Sequence, residues 1–180
     1  MHKDVEKILL NEERIAAAVS KIAVKINNDL NGEPLLAVII LKGSTPFAMD
    51  LIRKLDMPVE IEFMQVSSYG KSTVSNGFIN VKKDIEQDIS GKNVLIIEDI
   101  IDSGNTLFKI KKLFEHRNAK SVRICTMLDK PSRRVVDVKV DYVGEEIPDE
   151  FVVGYGLDYN EQYRNLPYIG VLKKCVYEEN

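Results

Sequence analysis

The sequence has 180 residues, of which 44% are hydrophobic and 29% are charged, and its formal net charge is -3. This length suits one ordinary domain with a full core, and the composition is that of a globular chain rather than a disordered one. The negative net charge gives no overall positive field that would draw the chain onto nucleic acid or an anionic membrane.

Local features exclude further classes of protein. The longest apolar run, 35–41, falls far short of the roughly 18 residues that span a bilayer. The N-terminal segment mixes acids with apolar residues, which is not typical of a signal peptide. Two cysteines, Cys125 and Cys175, are too few for a disulfide framework or a metal knuckle. We therefore expect one soluble, cytoplasmic domain over 1–180.

The first part of the chain alternates helix and strand patterns. A helix is predicted over 11–30, where an asparagine N-cap precedes apolar residues at three- and four-residue spacing. The apolar run 35–41 predicts a strand that is covered on both faces. A second helix is predicted over 45–55 with Thr45 as its N-cap, and alternation over 59–63 predicts a half-buried strand.

The remainder continues this alternation after one interruption. Segment 67–77 is small and polar, which predicts a long flexible loop. A buried strand is predicted over 93–97, followed by an amphipathic helix whose inward side chains run from Leu107 to Phe114. Further strands are predicted near 122–128, 138–143, 151–153 and 169–176. Buried strands alternating with amphipathic helices predict an α/β fold with a parallel β-sheet core flanked by helices.

Ligands of such sheets bind beyond the carboxyl ends of the strands, so the segment after the central strand is informative. We expect Glu98 and Asp99 at the end of this strand and Asp102 in the following turn. Four residues then lead into a helix: Ser103, Gly104, Asn105 and Thr106. Glycine permits close backbone approach, hydroxyls donate hydrogen bonds, and the first N–H groups of a helix attract anions. The turn therefore predicts a phosphate site, although it matches neither the Walker A loop nor the dinucleotide fingerprint.

Three carboxylates beside a phosphate site create an electrostatic conflict. Unit charges about 4 Å apart repel by roughly 4 kcal/mol at an effective dielectric of 20. A polyphosphate near Glu98 and Asp99 therefore needs a divalent cation, and oxygen ligands with phosphates favour Mg²⁺. The structural alternative is a turn that only caps the next helix. The full pattern E-D-x-x-D-[ST]-G-x-T arises by chance on the order of 10⁻⁵ in a chain of this length, which favours the functional interpretation.

This segment resembles the PRPP-binding motif of the type I phosphoribosyltransferases. The wider chain is similar to the hypoxanthine/guanine phosphoribosyltransferases. LKGS at 41–44 matches the pyrophosphate loop of that family, and SSYG at 67–70 matches its mobile loop. LDKP at 128–131 matches the segment with its base-recognition lysine, and FVVGYGLDYNEQYR at 151–164 matches its hood segment. These blocks span most of the chain. The resemblance implies a type I phosphoribosyltransferase fold with a small C-terminal hood, built from the N-terminus and about 145–180.

The resemblance implies purine salvage, in which hypoxanthine or guanine attacks C1′ of PRPP with Mg²⁺ assistance, releasing pyrophosphate and IMP or GMP. It assigns the 5′-phosphate to the turn formed by Ser103, Gly104, Asn105 and Thr106. Glu98 and Asp99 hold the ribose hydroxyls, directly or through the metal. The Lys42–Gly43 peptide, a bond that can be cis in the family, offers an N–H to pyrophosphate, and Arg164 adds a cation.

The resemblance also assigns the purine side of the site. Lys130 donates to the exocyclic O6, because an ammonium has three donors and no acceptor and so favours a 6-oxo group over a 6-amino group. Phe151 stacks on the base and the backbone of Val152 reads its edge, although core packing is the alternative for Phe151. Asp158 resembles a second magnesium ligand. Asp102 lies beside N7 as a general base.

Some assignments are less complete. The mobile loop comprises Ser67, Ser68, Tyr69 and Gly70. The pair Arg133 and Arg134 is either solvated or helps to hold the closed site. An aromatic cluster in the hood is expected from Tyr155, Tyr159, Tyr163 and Tyr168.

Two alternatives to this function stay open. One is a related phosphoribosyltransferase acting on xanthine or another base, which the pocket around Lys130, Phe151 and Asp158 would distinguish. The other is a non-enzymatic PRPP sensor that regulates nucleic acid, but such a protein needs a basic face or a helix-turn-helix, and this acidic chain has no segment for one. We expect PRPP and a 6-oxopurine as partners, no nucleic acid or membrane, and a homodimer or homotetramer as in the family.

Overall fold

The structure is a computed structural model that describes residues 1–67 and 80–178. Its strands are β1 (Val5–Leu10), β2 (Leu35–Ile40), β3 (Val59–Ser67), β4 (Asn80–Lys83), β5 (Asn93–Ile101), β6 (Ser121–Asp129), β7 (Tyr142–Glu146), β8 (Val152–Val153) and β9 (Ile169–Leu172). Its helices are α1 (Glu12–Leu30), α2 (Thr45–Ile52), α3 (Asn105–His116), a 3₁₀ turn (Pro131–Arg133) and α4 (Lys174–Tyr177). Within this described part, no helix has both the length and the apolar character needed to cross a membrane.

The main sheet has the strand order β4-β3-β2-β5-β6-β7. Strands β3, β2, β5, β6 and β7 are parallel, and only the edge strand β4 pairs in the antiparallel sense among the described strands of this sheet. All six residues of β2 are buried. This arrangement confirms the predicted parallel core, because a strand covered on both faces needs apolar side chains at consecutive positions.

The two faces of the main sheet carry separate apolar cores. Alternate residues of β2 point in opposite directions, so Ala37 packs with α1 and α2 while Val38 packs with α3. Helix α1 begins after the N-cap Asn11, whose side chain accepts a hydrogen bond from the Arg14 N–H at 2.9 Å. It ends at Asn31 in the left-handed conformation, with φ of 46°. Both ends of this helix were predicted.

A second, three-stranded sheet has the order β1-β9-β8 and is antiparallel throughout. We call the hood the structure formed by β1, β8, β9 and the intervening segment 154–168. A small apolar cluster within it contains Val5, Val153 and Leu172. The hood therefore joins the N-terminus to the C-terminal part of the chain.

Several predicted boundaries were wrong. Helix α2 ends at Ile52, and its N-cap is Ser44, whose buried hydroxyl donates to the Ile40 carbonyl. Strand β5 extends to Ile101, because β6 continues to pair with it, so Glu98 and Asp99 lie within the strand rather than after it.

The C-terminal strands are shorter than predicted. Strand β7 is displaced from the predicted 138–143 to Tyr142–Glu146, whereas β9 begins at Ile169 as predicted. Strand β9 stops at Leu172 and α4 follows. Strands β1 and β4 were not predicted, and β1 pairs with residues more than 150 positions away in sequence. Of the predicted loop 67–77, Ser67 ends β3 and the rest lies outside the described residues.

Candidate active site

A cleft of about 700 Å³ opens at the carboxyl ends of β2 and β5. This is the edge of a parallel sheet at which ligands are expected. Its lining includes the segment 98–107, the segment 40–43, and Asp158 and Arg164 from the hood. Three separate parts of the chain that the sequence marked as functional therefore meet around one cavity.

The turn between β5 and α3 forms one wall of the cleft. Gly104 is the N-cap of α3 and has φ of 82°, in the left-handed region that favours glycine. A Cβ atom at this position would lie 2.8 Å from both Arg134 Cδ and Val138 Cγ1. The Ser103 hydroxyl accepts a hydrogen bond from the Asn105 N–H at 3.4 Å. The glycine thus lets the backbone enter α3 at this point, where the N–H groups of the first turn favour an anion.

Two carboxylates from β5 lie beside this turn. Glu98 Oε1 accepts a hydrogen bond from the Asp99 N–H at 3.2 Å, and Asp99 Oδ1 accepts one from the Ile100 N–H at 2.7 Å. Burial, followed by the charge of Asp99, raises the pKa of Glu98 well above its ordinary value. Burial also raises the pKa of Asp99. The site therefore disfavours two negative charges unless a cation joins them.

The fit of a metal to this site can be judged from its donors. The described residues contain no converging group of three or more His, Cys, Asp or Glu side chains. A cation bound here would use Glu98 and Asp99 together with oxygen atoms of a ligand. Mg²⁺ is commonly held in this way, by one or two carboxylates and substrate phosphates. The donor set therefore fits Mg²⁺.

The loop after β2 packs directly against these acids. A Cβ atom on Gly43 would lie 1.6 Å from Asp99 Oδ2, and one on Gly156 would lie 1.9 Å from the Gly43 carbonyl oxygen. Neither glycine can be replaced without moving its neighbour. The cis peptide bond joins Leu41 and Lys42, so its expected position at Lys42–Gly43 was wrong by one bond.

The hood contributes paired charges to the same cleft. Arg164 Nη2 lies 2.9 Å from Asp158 Oδ1, and Arg164 Nη1 donates to the Gly156 carbonyl at 2.8 Å. Arg164 Nε is buried and has no hydrogen-bond partner within the described structure. Lys42 Nζ reaches Glu161 at 3.1 Å. The predicted pyrophosphate cation Arg164 and the Lys42 side chain thus lie near each other and already have acidic neighbours in the hood.

The residues predicted to contact the purine lie outside the lining of this cleft. Lys130 is buried, and its ammonium donates to the Glu150 carbonyl at 2.7 Å. Val152 is buried in β8. Phe151 is 38% exposed, which contradicts the core-packing alternative. The backbone of 150–152 thus joins the lysine to the exposed aromatic ring.

A chain of ion pairs connects this region with the cleft. Arg133 Nε donates to Asp102 Oδ1 at 3.0 Å, and Arg133 Nη1 lies 3.4 Å from Asp149 Oδ2. Asp149 Oδ1 lies 3.5 Å from Lys130 Nζ. Arg134 has a different environment, because it is largely buried and pairs with Asp129. The two arginines are therefore not one solvated pair, and only Arg133 contacts the Asp102 carboxylate.

The predicted tyrosine cluster is only partly formed. Tyr159, Tyr163 and Tyr168 pack within the hood. The Tyr155 hydroxyl instead donates to Asp50 Oδ2 at 2.7 Å. Its ring packs on the core between the main sheet and helices α1 and α2. Burial, followed by this hydrogen bond, raises the pKa of Tyr155.

Three residues at or near the site were missed by the sequence reasoning. Gly156 contacts the loop after β2, Asp149 links Arg133 to Lys130, and Tyr177 stacks on Phe151. The two glycines flanking Tyr155 were a usable signal in the sequence, because glycine is favoured where the backbone needs a positive φ. Both glycines have a positive φ in the structure. Asp149 and Tyr177 gave no signal, because neither belongs to a motif. Of the predicted mobile loop, Ser68, Tyr69 and Gly70 lie outside the described residues.

Comparison with known proteins agrees with this geometry. Residues 6–160 match the model of the phosphoribosyl transferase domain, and the chain belongs to that family. It is 53% identical to the hypoxanthine-guanine phosphoribosyltransferase of Bacillus subtilis over 99% of both chains, and 50% identical to that of Streptococcus pneumoniae over 98% of both. A crystal structure of a hypoxanthine phosphoribosyltransferase from Staphylococcus aureus superposes with a TM-score of 0.94 at 50% identity, covering 99% of this chain and 97% of that one.

Proposed function

We propose that this enzyme transfers the 5-phosphoribosyl group of PRPP to hypoxanthine or guanine in an Mg²⁺-dependent reaction of purine salvage. The products are pyrophosphate and IMP or GMP. The observation that carries the proposal is the contact of Gly43 with Asp99. This contact brings the proposed pyrophosphate loop next to the acids that we assign to the ribose, and the proposed phosphate turn follows these acids in the chain. The similarity to enzymes of this name over the whole chain supports the same substrates.

PRPP extends along the cleft in this proposal. The 5′-phosphate binds the turn 103–106, where α3 begins. The ribose hydroxyls lie at Glu98 and Asp99. Pyrophosphate lies on the other side of these acids, between the Lys42–Gly43 backbone and Arg164, both of which line the same cavity. The buried and unpartnered Nε of Arg164 offers a donor to this anion.

A bound Mg²⁺ ion would offset the repulsion between the phosphates of PRPP and the carboxylates of Glu98 and Asp99. Glu98 and Asp99 would hold it together with oxygen atoms of PRPP, whereas Asp158 does not converge with these two acids among the described residues and pairs with Arg164 at 2.9 Å. When bound, the metal neutralises charge on the pyrophosphate leaving group. The protein's own part is to keep two carboxylates in a half-buried position where their charge is costly without a cation.

The purine binds beyond the cleft, next to Lys130. The Lys130 ammonium is oriented by the Glu150 carbonyl, with which it makes a hydrogen bond of 2.7 Å. Asp149 Oδ1 lies 3.5 Å from the same ammonium, and a further proton remains for the purine O6. Phe151 is the next residue along the chain and has exposed ring surface on which a base can stack. The Val152 backbone reads the edge of the base.

Asp102 is the general base of the proposed reaction. It lines the cleft and is linked through Arg133 and Asp149 to Lys130, which supports a place between the sugar and the purine. In the structure it accepts a hydrogen bond from Arg133 at 3.0 Å. The purine loses a proton as its nitrogen bonds to C1′, and Asp102 accepts this proton or stabilises the charge at N7.

The proposal is tested with purified protein, PRPP and Mg²⁺, supplying hypoxanthine, guanine, xanthine and adenine in separate assays. Nucleotide is expected from hypoxanthine or guanine and little from adenine. A preference for xanthine would indicate the related activity, and no nucleotide from any 6-oxopurine would contradict the proposal. Assembly as a homodimer or homotetramer rests on the resemblance alone, and light scattering tests it. The cytoplasmic location is an expectation from the composition and sequence patterns.

A further inference from the structure

Phe151 packs in an aromatic group with Tyr159 of the hood and Tyr177 of α4. Its ring is stacked on that of Tyr177, with centroids 4.9 Å apart and an angle of 23° between the planes. The ring of Tyr159 meets it edge-on at 5.6 Å and 89°. Tyr177 thus covers one face of Phe151, and Tyr159 packs against the same ring at a right angle. Both geometries are among those that aromatic pairs prefer.

The same ring keeps a large accessible surface. Phe151 is 38% exposed even with both tyrosines in place. Because Tyr177 is stacked on one face of the ring, this exposed area lies away from that face. A flat ligand can therefore stack on Phe151 without displacing Tyr177.

The segment that carries Tyr177 is tied to the hood by backbone hydrogen bonds. The Leu172 N–H donates to the Phe151 carbonyl at 2.8 Å, and the Lys173 N–H donates to the Asp4 carbonyl at 2.9 Å. The Val176 N–H donates to the Lys173 carbonyl at 3.0 Å and begins α4. Tyr177 is therefore placed against Phe151 by bonds that also hold β1 and β9.

We infer that Tyr177 is a positioning residue for the purine base, because it holds one face of Phe151 and so presents the other face to the base. This inference rests on the proposed function, in which Phe151 stacks on the purine. Tyr177 does not touch the base and acts through Phe151. The C-terminal helix thereby contributes to base affinity although it lies outside the cleft.

The test compares Tyr177→Ala, Tyr177→Phe and the wild-type protein in steady-state assays with hypoxanthine and guanine. Tyr177→Ala frees the Phe151 ring, and we expect KM for the base to rise by about three- to tenfold, the range that aromatic pairs support. KM for PRPP and kcat should change by less than about twofold, since the phosphate turn and acids are untouched. Tyr177→Phe keeps the ring and should restore the wild-type KM for the base.

Val176→Ala is the matched control. Val176 lies on the same helix and packs in the same hood cluster, but its side chain is not part of the aromatic stack. Both alanine variants should lower the melting temperature, whereas only Tyr177→Ala should raise KM for the base. This separates ring positioning from a general loosening of α4.

Three results would overturn the inference while leaving the proposed function intact. An unchanged KM for the base in Tyr177→Ala would make Tyr177 a packing residue only. A lower KM would mean that Tyr177 occupies the face that the base uses. Equal increases in Tyr177→Ala and Val176→Ala would assign the effect to helix loosening. Wild-type protein that forms no nucleotide from either base would instead overturn the proposed function together with the inference.

Discussion

The cleft and the hood present their functional residues in different ways. In the cleft, one strand, turn and helix carry the acids and the phosphate turn within 98–106. In the purine region, Lys130 meets the Glu150 carbonyl and Phe151 meets Tyr177, so each contact joins distant parts of the chain. The first region depends on local backbone geometry and the second on tertiary packing. Changes in the cleft should therefore affect all bases equally, whereas changes near the hood should depend on the base.

Removal of the metal should have the largest effect. EDTA should abolish nucleotide formation with every base, because Glu98 and Asp99 then face the substrate's anions without a cation. Excess Mg²⁺ added afterwards should restore the rate. Unchanged turnover in EDTA would remove the electrostatic basis of the cleft.

Asp102→Asn should follow in size. Asparagine keeps the shape of the side chain but cannot accept a proton, so kcat should fall by roughly 10²–10⁴-fold with hypoxanthine and guanine alike. KM for PRPP should change far less, because the turn 103–106 is intact. Nucleotide formation under saturating substrates measures this difference.

An exposed acid provides the control for Asp102. Asp137→Asn alters a carboxylate in the segment after Arg134 and should behave as the wild type. If Asp102→Asn instead retains kcat and loses PRPP affinity, Asp102 serves the ribose or the phosphate turn rather than the proton transfer.

Lys130→Met should separate the two regions. Loss of the donor leaves the purine O6 unpaired, at a free-energy cost of roughly 1–3 kcal/mol. The value of kcat/KM for hypoxanthine and guanine should therefore fall by about 5- to 150-fold. The slow use of adenine should change little. Lys139→Met, at an exposed lysine, is the control. An equal loss with all bases would show that Lys130 stabilises the fold, including the Glu150 contact, rather than the base.

The smallest effect concerns stability without ligand. Because the folded state raises the pKa of Glu98, it binds more protons than the unfolded chain, and stability should fall as pH rises above the ordinary value of 4.5. Glu98→Gln removes this charge and should raise the melting temperature at about pH 8 more than at about pH 4. A chain of this size gains about 2–4 °C for each kcal/mol relieved.

Calorimetry without Mg²⁺ measures this change, and Glu86→Gln, at an exposed acid, should leave the melting temperature unaltered. A lower melting temperature in Glu98→Gln at high pH would mean that the ionised carboxylate stabilises the cleft. In that case the charged acids of the cleft would stabilise the fold, as the ion pairs of the hood do.

Local patterns were sufficient for the central strand β2 of the main sheet and for helix α1. Consecutive apolar residues in β2 predicted burial on both faces, and the asparagines at 11 and 31 predicted both ends of α1. The phosphate turn was equally local, because Gly104 and the start of α3 need only a few residues to define their backbone. These features depend on periodicity and on φ, which act over a few positions.

Other boundaries depended on a partner strand. Strand β5 continues past Ile97 because β6 continues beside it, and β1 exists because β9 pairs with it. The N-cap of α2 is Ser44 rather than Thr45, and the Ser44 hydroxyl donates to the Ile40 carbonyl in the core instead of capping the helix. None of these contacts changes the local sequence pattern.

By itself, therefore, the sequence determined the parallel core, the segment 98–106 that lines the cleft, and the family to which the chain belongs. Only the tertiary structure decided that Gly156 contacts Gly43, that Arg133 pairs with Asp102, and that Tyr177 lies on Phe151. The physical reason is the range of the interactions. Backbone preference and apolar periodicity are encoded in neighbouring residues, whereas contacts between distant segments exist only after those segments pack together.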